Sequence, residues 1–206
     1  MKKILLLNAL LLTSCATNNA QIVDKSVPKT FIAGYTTDQV SSSSCPTMIA
    51  KSATVAEYMK LGTACVKAEN WKAVDAVGNF LSMQHSSSAW GPYFLSLHAE
   101  HSKDLPRARW MTELAVKKSP NEGLALYQLG RMQWEMDEKT AALETLQKSV
   151  SKNPSLCDAH VLLGQIALLG DKNSDANRKF QHAFEQDPKH SGALLGLAEV
   201  SLRNKN

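Results

Sequence analysis

Apolar positions in the second half of the chain follow a helical period inside segments that are themselves repeated. Pro120, Pro154 and Pro188 are spaced 34 residues apart, and each follows a helical pattern that ends in a polar pair. A fixed period of this length is typical of stacked helical hairpins. Isolated helices shorter than about 12–15 residues are marginal, so the apolar stripe of each predicted helix has to be buried by its neighbours. The pattern therefore predicts an all-α solenoid.

Equivalent positions of the repeat carry equivalent residue types. Leucine and glycine occur together at residues 129–130 and again at 163–164, and alanine recurs at Ala142 and Ala176. Each alanine is followed four residues later by Leu146 or Phe180, and then by a small residue. This pattern resembles the tetratricopeptide repeat (TPR). The resemblance implies a TPR domain in residues 51–206. The domain is expected to contain four helical hairpins and a final capping helix whose outer face is polar. The hairpins are residues 55–88, 89–122, 123–156 and 157–190, and the capping helix is residues 191–206.

The first helices of successive TPR hairpins line a groove that holds a segment of a partner protein. The resemblance assigns five positions of each repeat to this groove, and here they carry mostly aromatic and apolar side chains. Tryptophan, tyrosine and arginine often dominate protein binding, so a protein partner is expected rather than a small-molecule substrate. The alternative is that some of these aromatic side chains pack within or between hairpins. The candidate groove residues are Trp90, Tyr93, Leu97, Glu100, His101, Leu124, Tyr127, Arg131, Trp134, Val161, Gln165 and Leu168.

The N-terminus has the pattern of a bacterial export signal. Lys2 and Lys3 precede an apolar stretch in residues 4–12, which is too short to span a bilayer. Residues 12–15, Leu-Thr-Ser-Cys, resemble the lipobox of bacterial lipoproteins, which implies removal of residues 1–14 and lipidation of Cys15. An ordinary secretory signal is the alternative. Because Ala16 rather than aspartate follows the cysteine, the resemblance favours the outer membrane, with the lipid-anchored protein facing the periplasm.

Residues 15–50 show no sustained helical or strand period and contain four consecutive serines at 41–44. We interpret this segment as a flexible tether that holds the domain about 30 Å from the anchor. Disulfides persist outside the cytoplasm, so Cys45 and Cys65 are candidates for a bond that leaves Cys157 as a buried free thiol. The alternative is that all three cysteines are free.

Composition, charge and the absence of known motifs argue against several other classes of function. The chain has 23 Lys and Arg against 19 Asp and Glu, and no cluster of basic residues, which argues against nucleic-acid binding. His98 and His101 are spaced i, i+3, but no third metal ligand accompanies them. There is no phosphate-binding glycine loop and no nucleophile motif. We expect neither an enzyme nor a cofactor.

These features predict a membrane-anchored periplasmic TPR scaffold that binds a partner segment in its groove during assembly of an envelope complex. Among families of this architecture, the chain resembles the type IV pilus pilotins, lipoproteins that help the secretin ring to assemble in the outer membrane. An adaptor for outer-membrane β-barrel assembly or for peptidoglycan-remodelling enzymes is an alternative of the same class. A small metal-dependent protein that uses His98 and His101 is an alternative of another class.

Overall fold

The computed structural model describes residues 53–204, where the chain forms helices and no strand. The predicted export signal, Cys15, the tether and Cys45 lie outside this range. The described helices belong to two compact units that divide after Pro120. The N-terminal unit contains α1 (Val55–Lys67), α2 (Trp71–Gln84), α3 (Trp90–His101) and α4 (Leu105–Lys118). The C-terminal unit contains α5 (Gly123–Glu135), α6 (Lys139–Lys152), α7 (Cys157–Leu169), α8 (Asn173–Gln186) and α9 (Ser191–Arg203).

Each predicted 34-residue segment contains two helices that pack against each other, α1 with α2, α3 with α4, α5 with α6 and α7 with α8. The helices of a pair are joined by three residues, a connection length typical of helical hairpins. The all-α fold of four hairpins and a final helix is confirmed.

One turn geometry is used in all four hairpins. The residue in the middle of the turn has a positive φ, between 53° and 63°, at Glu69, Lys103, Asp137 and Asp171, which are again spaced 34 residues apart. Backbone N–H groups of the turn donate to the last carbonyl oxygens of the preceding helix, as from Lys103 to Glu100 over 2.9 Å. These bonds satisfy carbonyl groups that a helix end leaves without partners. The left-handed position is therefore a repeated feature that no glycine marks.

Side-chain caps set the beginnings of several helices. Thr54 Oγ1 accepts a hydrogen bond from the N–H of Glu57 over 3.3 Å, and Glu57 Oε2 accepts one from the N–H of Thr54 over 2.7 Å. Together these bonds form the capping box of α1. Asn70 and Asp104 cap α2 and α4 through their side-chain oxygens over 3.2 Å. The caps at Asn70 and Asp104 fix where the second helix starts in both hairpins of the N-terminal unit.

Glycines of the repeat allow helices to approach closely. A Cβ atom placed on Gly164 would lie 2.6 Å from a ring carbon of Phe180, and one placed on Gly196 would lie 2.4 Å from the same ring. The fully buried Phe180 ring is therefore held between a glycine of α7 and a glycine of α9. Gly130 has the same role against Leu146, where a Cβ would lie 2.7 Å away.

Helix α9 packs against α7 and α8 through its inner face, but its outer face is not the solvating surface that the sequence led us to expect. Leu194, Leu195 and Leu202 are 45%, 58% and 66% exposed. The residues 34 positions earlier in α7, among them Val161 and Leu168, are buried. The difference arises because α8 and α9 cover α7, whereas no described helix follows α9.

Two cysteines differ from the sequence expectation. Cys65 and Cys157 are both fully buried and both disulfide-bonded, so neither is a free thiol. The expectation that Cys157 remains a free thiol is therefore wrong, as is the alternative that every cysteine is free. The predicted pairing of Cys65 with Cys45 stays a prediction, since Cys45 lies outside the described residues.

Candidate functional site

In the N-terminal unit, the predicted groove residues lie on α3 at different depths. Tyr93 and Leu97 are buried, whereas Trp90 and Glu100 are half-buried and His101 is exposed. The Trp90 and Tyr93 rings meet edge to face with centroids 5.4 Å apart. In this unit the accessible members of the predicted set are therefore Trp90, Glu100 and His101, the first two in part.

In the third hairpin, the predicted residues on α5 contribute to a core shared with α6 and α7. Tyr127 is buried in a cluster that includes Leu146 and Leu163, and Leu124 and Trp134 pack against this cluster while staying half-buried. Arg131 is also half-buried and donates hydrogen bonds to the side chains of Gln128 and Glu135, each over 3.0 Å. A partner can reach parts of Leu124, Arg131 and Trp134.

In the fourth hairpin, α9 covers two of the three predicted residues on α7. Val161 and Leu168 belong to a buried cluster with Ala193 and Val200 of α9. Gln165, on the same helix, is exposed.

Burial thus divides the predicted groove residues into two groups. Five of them are buried. Tyr127 is buried because α7 packs over it, and Val161 is buried because α9 packs over it. Partner contact by the twelve residues stays a prediction, and the exposed and half-buried members are the ones able to make it. The buried residues are Tyr93, Leu97, Tyr127, Val161 and Leu168.

The two histidines considered for a metal site make separate contacts. His98 Nδ1 lies 3.3 Å from Asp75 Oδ1, while the His101 ring stacks on Trp71 with centroids 4.2 Å apart and planes 11° from parallel. Among residues 53–204, no group of three or more His, Cys, Asp or Glu side chains is arranged to hold a metal ion.

A pair of histidines that the sequence did not single out lies in the C-terminal unit. The Nε2 atoms of His160 and His182 lie 3.0 and 3.1 Å from the carbonyl oxygen of Pro154, and the ring centroids are 4.1 Å apart. Burial, together with the positive charges of His182 and Lys179, lowers the pKa of His160 to about 4. The buried Nδ1 of His160 has no hydrogen-bond partner among the described groups, so an added proton would find no acceptor.

A second buried polar contact joins α7 to the start of α9. His190 Nε2 lies 3.0 Å from Asp158 Oδ1, and His190 Nδ1 accepts a hydrogen bond from the N–H of Ala193 over 3.3 Å. Because Nδ1 accepts, the proton of the neutral ring is on Nε2, which donates to the carboxylate. This contact positions α9 on α7 and is structural.

The C-terminal unit also contains an open cleft of about 720 Å³ between the third and fourth hairpins. Its apolar part includes Trp134, Leu143 and Ile166, and basic side chains stand around it. Helices α6 and α7, which both line the cleft, pack less closely than α2 with α3 or α8 with α9. Nothing in the 34-residue pattern indicates this looser contact.

None of the helices between residues 53 and 204 has the length and hydrophobicity needed to cross a membrane.

No protein-family model and no curated protein matches the chain. Solved structures do match it. PilF of Pseudomonas aeruginosa is similar with a TM-score of 0.63 and 16% identity, over 73% of this chain and 68% of that protein. YrrB, described as a TPR protein with an unusual peptide-binding site, has a TM-score of 0.52 and 20% identity over 74% of this chain and 79% of YrrB.

The first TPR domain of RPAP3, solved with an HSP90 peptide bound, has a TM-score of 0.53 and 13% identity over 58% of this chain and 94% of the domain. At these identities the likeness establishes the fold alone. The TPR architecture predicted from the 34-residue period is thereby confirmed.

Proposed function

We propose that this protein is a lipid-anchored periplasmic scaffold that holds a segment of a partner protein while a cell-envelope complex assembles, as a pilotin does for a secretin. The observation that carries the proposal is the presence of TPR hairpins in both compact units. Two structurally similar TPR proteins are described as binding peptides, YrrB and the RPAP3 domain. The lipobox-like residues 12–15 and the tether supply the anchor and the reach, and the fold is similar to that of PilF.

The accessible groove residues suit reversible protein binding. Trp90 and Trp134 expose part of a large flat ring, and Arg131 and Gln165 add hydrogen-bonding groups. Aromatic and arginine side chains dominate many interfaces. The aromatic rings bury much area and lose little conformational freedom, and arginine donates several hydrogen bonds. The polar clusters at His160 and His190 are occupied by contacts within the protein, which fits a binding role rather than catalysis.

Site-specific photo-crosslinking in cells tests the proposal. A photoreactive amino acid replaces the exposed Gln165 on α7, and a matched variant carries it at the exposed Gln181 on α8. We expect a secretin to be captured from position 165 and not from position 181. Capture of β-barrel assembly proteins or wall-remodelling enzymes from 165 alone would keep the scaffold and overturn the pilotin role. Equal capture from both positions would overturn the assigned binding face.

A further inference from the structure

The cleft between the third and fourth hairpins is lined by more positive than negative side chains. Four basic residues stand around it, and Asp175 is the acidic residue among those that line it. Asp175 is engaged by Arg178, and Lys139 pairs with the exposed Asp137 over 3.1 Å. The basic residues are Lys139, Lys172, Arg178 and Lys179.

Lys172 and Lys179 are the cations of the cleft that remain without compensation. No carboxylate within the described chain lies within ion-pair distance of either ammonium group. Lys172 is the N-cap residue of α8 and Lys179 lies seven positions later, which corresponds to about 10 Å of helix rise. Two cations at this separation, with an apolar surface beside them, define a charge pattern that a ligand can complement.

The apolar part of the cleft is accessible. Leu169 is 61% exposed at its edge, and Trp134 and Leu143 are half-buried within it. Exposed large apolar residues next to a cavity of this size are typical of binding sites rather than of plain surface. The cleft therefore offers apolar contact area between hairpins in addition to its charge.

We propose that this cleft binds an acidic amphipathic helix of a partner protein. Carboxylates two turns apart on such a helix would meet Lys172 and Lys179, and the apolar residues between them would contact Leu169 and Trp134. A single anionic lipid headgroup concentrates its charge at one point and would leave one of the two lysines unpaired, so the spacing favours a peptide. The site is lined by residues of α6, α7 and α8 and shares Trp134 with the predicted groove, but Lys172 and Lys179 lie outside that groove, so the inference goes beyond the proposed function.

Peptide binding to the purified full-length chain tests the proposal. The probe is a fluorescein-labelled amphipathic peptide of about 15 residues, with leucine at i, i+3, i+4 and i+7 and glutamate at most other positions. We measure its binding by fluorescence anisotropy and compare a peptide in which lysine replaces every glutamate. The acidic peptide is expected to bind, and the basic peptide is expected to bind at least about tenfold more weakly.

Two pairs of matched variants locate the site. Lys172→Glu/Lys179→Glu is expected to weaken binding of the acidic peptide about tenfold or more. Lys148→Glu/Lys189→Glu makes the same charge change at exposed positions that do not line the cleft and is expected to have little effect. Leu169→Ser is expected to weaken binding, whereas Leu202→Ser, at a similarly exposed leucine of α9, is not. All four substituted lysines are outside the buried core, so folding, checked by circular dichroism, should be retained.

Three results would overturn the proposal. The first is no binding of the acidic peptide to the wild-type chain, and the second is equal weakening by the cleft and control variants. The third is binding of phosphatidylglycerol vesicles with the same dependence on Lys172 and Lys179 when the peptide does not bind, which would make the cleft a membrane contact. Gln165 does not line the cleft, so the crosslinking and the peptide test probe different residues, and failure of one leaves the other intact.

Discussion

The replacement Gly164→Ala tests the close approach of α7, α8 and α9 around Phe180. A Cβ atom at position 164 would lie 2.6, 2.8 and 2.9 Å from three ring carbons, and the ring cannot move away because Gly196 already lies against it. Overpacking of a core costs about 1–3 kcal/mol. Replacing a glycine in a helix by alanine otherwise stabilises the folded state by about 0.5–1 kcal/mol, because alanine loses less backbone entropy on folding. We expect a net loss of about 1–2 kcal/mol, since the ring is confined by both helices.

Urea and thermal unfolding followed by circular dichroism at the helical band measure this change. For a chain of this size, a loss of about 1–2 kcal/mol lowers the melting temperature by about 2–8 °C. The matched control is Gly170→Ala, where the nearest atoms would be 3.6 and 3.8 Å from the new Cβ, so that variant should be unchanged or slightly more stable. Additional replacement of Phe180 by leucine should recover part of the loss. Equal stability of the two alanine variants would show that the ring is not confined as described.

Three further predictions concern other parts of the chain. The pKa of His160 is lowered to about 4 in the folded protein, from about 6.5 in the unfolded chain, so the unfolded state binds more protons between these two pH values. The free energy of unfolding should therefore fall as the pH drops from about 6.5 to 4. His160→Gln should flatten this pH dependence in denaturation curves, and an unchanged pH profile would refute the assignment. Lys103 has a positive φ, which strains a side chain other than glycine, so Lys103→Gly should raise stability by about 0.5–1 kcal/mol. Ser102 beside it has an ordinary φ, so Ser102→Gly should lower stability. The reverse order of melting temperatures would contradict the argument that Lys103 is strained. Cys15→Ala should move the protein from the membrane fraction to the soluble periplasmic fraction, and an unaltered distribution in fractionated cells would count against lipidation.

The repeat could be predicted from the sequence because its signals are local. Proline at the end of three of the four hairpins and the Leu-Gly pair at residues 129–130 and 163–164 recur at one spacing, and each reflects a fixed need for a chain reversal or a close helix contact. The left-handed turn residues were not predicted, since their types vary from Glu69 to Asp171 and hydrogen bonds of the turn, rather than glycine, hold the conformation.

The candidate site was predicted less well, because a sequence period shows which face of a helix is apolar but not how deeply a neighbouring helix covers it. Tyr127 and Val161 fit an open groove by position, yet α7 and α9 bury them. The contact between His160 and His182 joins different helices through the Pro154 carbonyl oxygen, and no spacing rule relates the two residues. The cleft depends on how loosely α6 meets α7, which is a property of packing alone.

The outer face of α9 bears on how repeat proteins of this kind change in length. Leu194, Leu195 and Leu202 present an apolar surface equivalent to the one that α8 and α9 together bury on α7. Two helices with the residue patterns of α8 and α9, joined after the present α9 by a turn of the type found at Asp171, would meet a surface already suited to them. Duplication of one hairpin, in a laboratory or in a genome, would therefore lengthen the described array without any redesign of the helix onto which it adds.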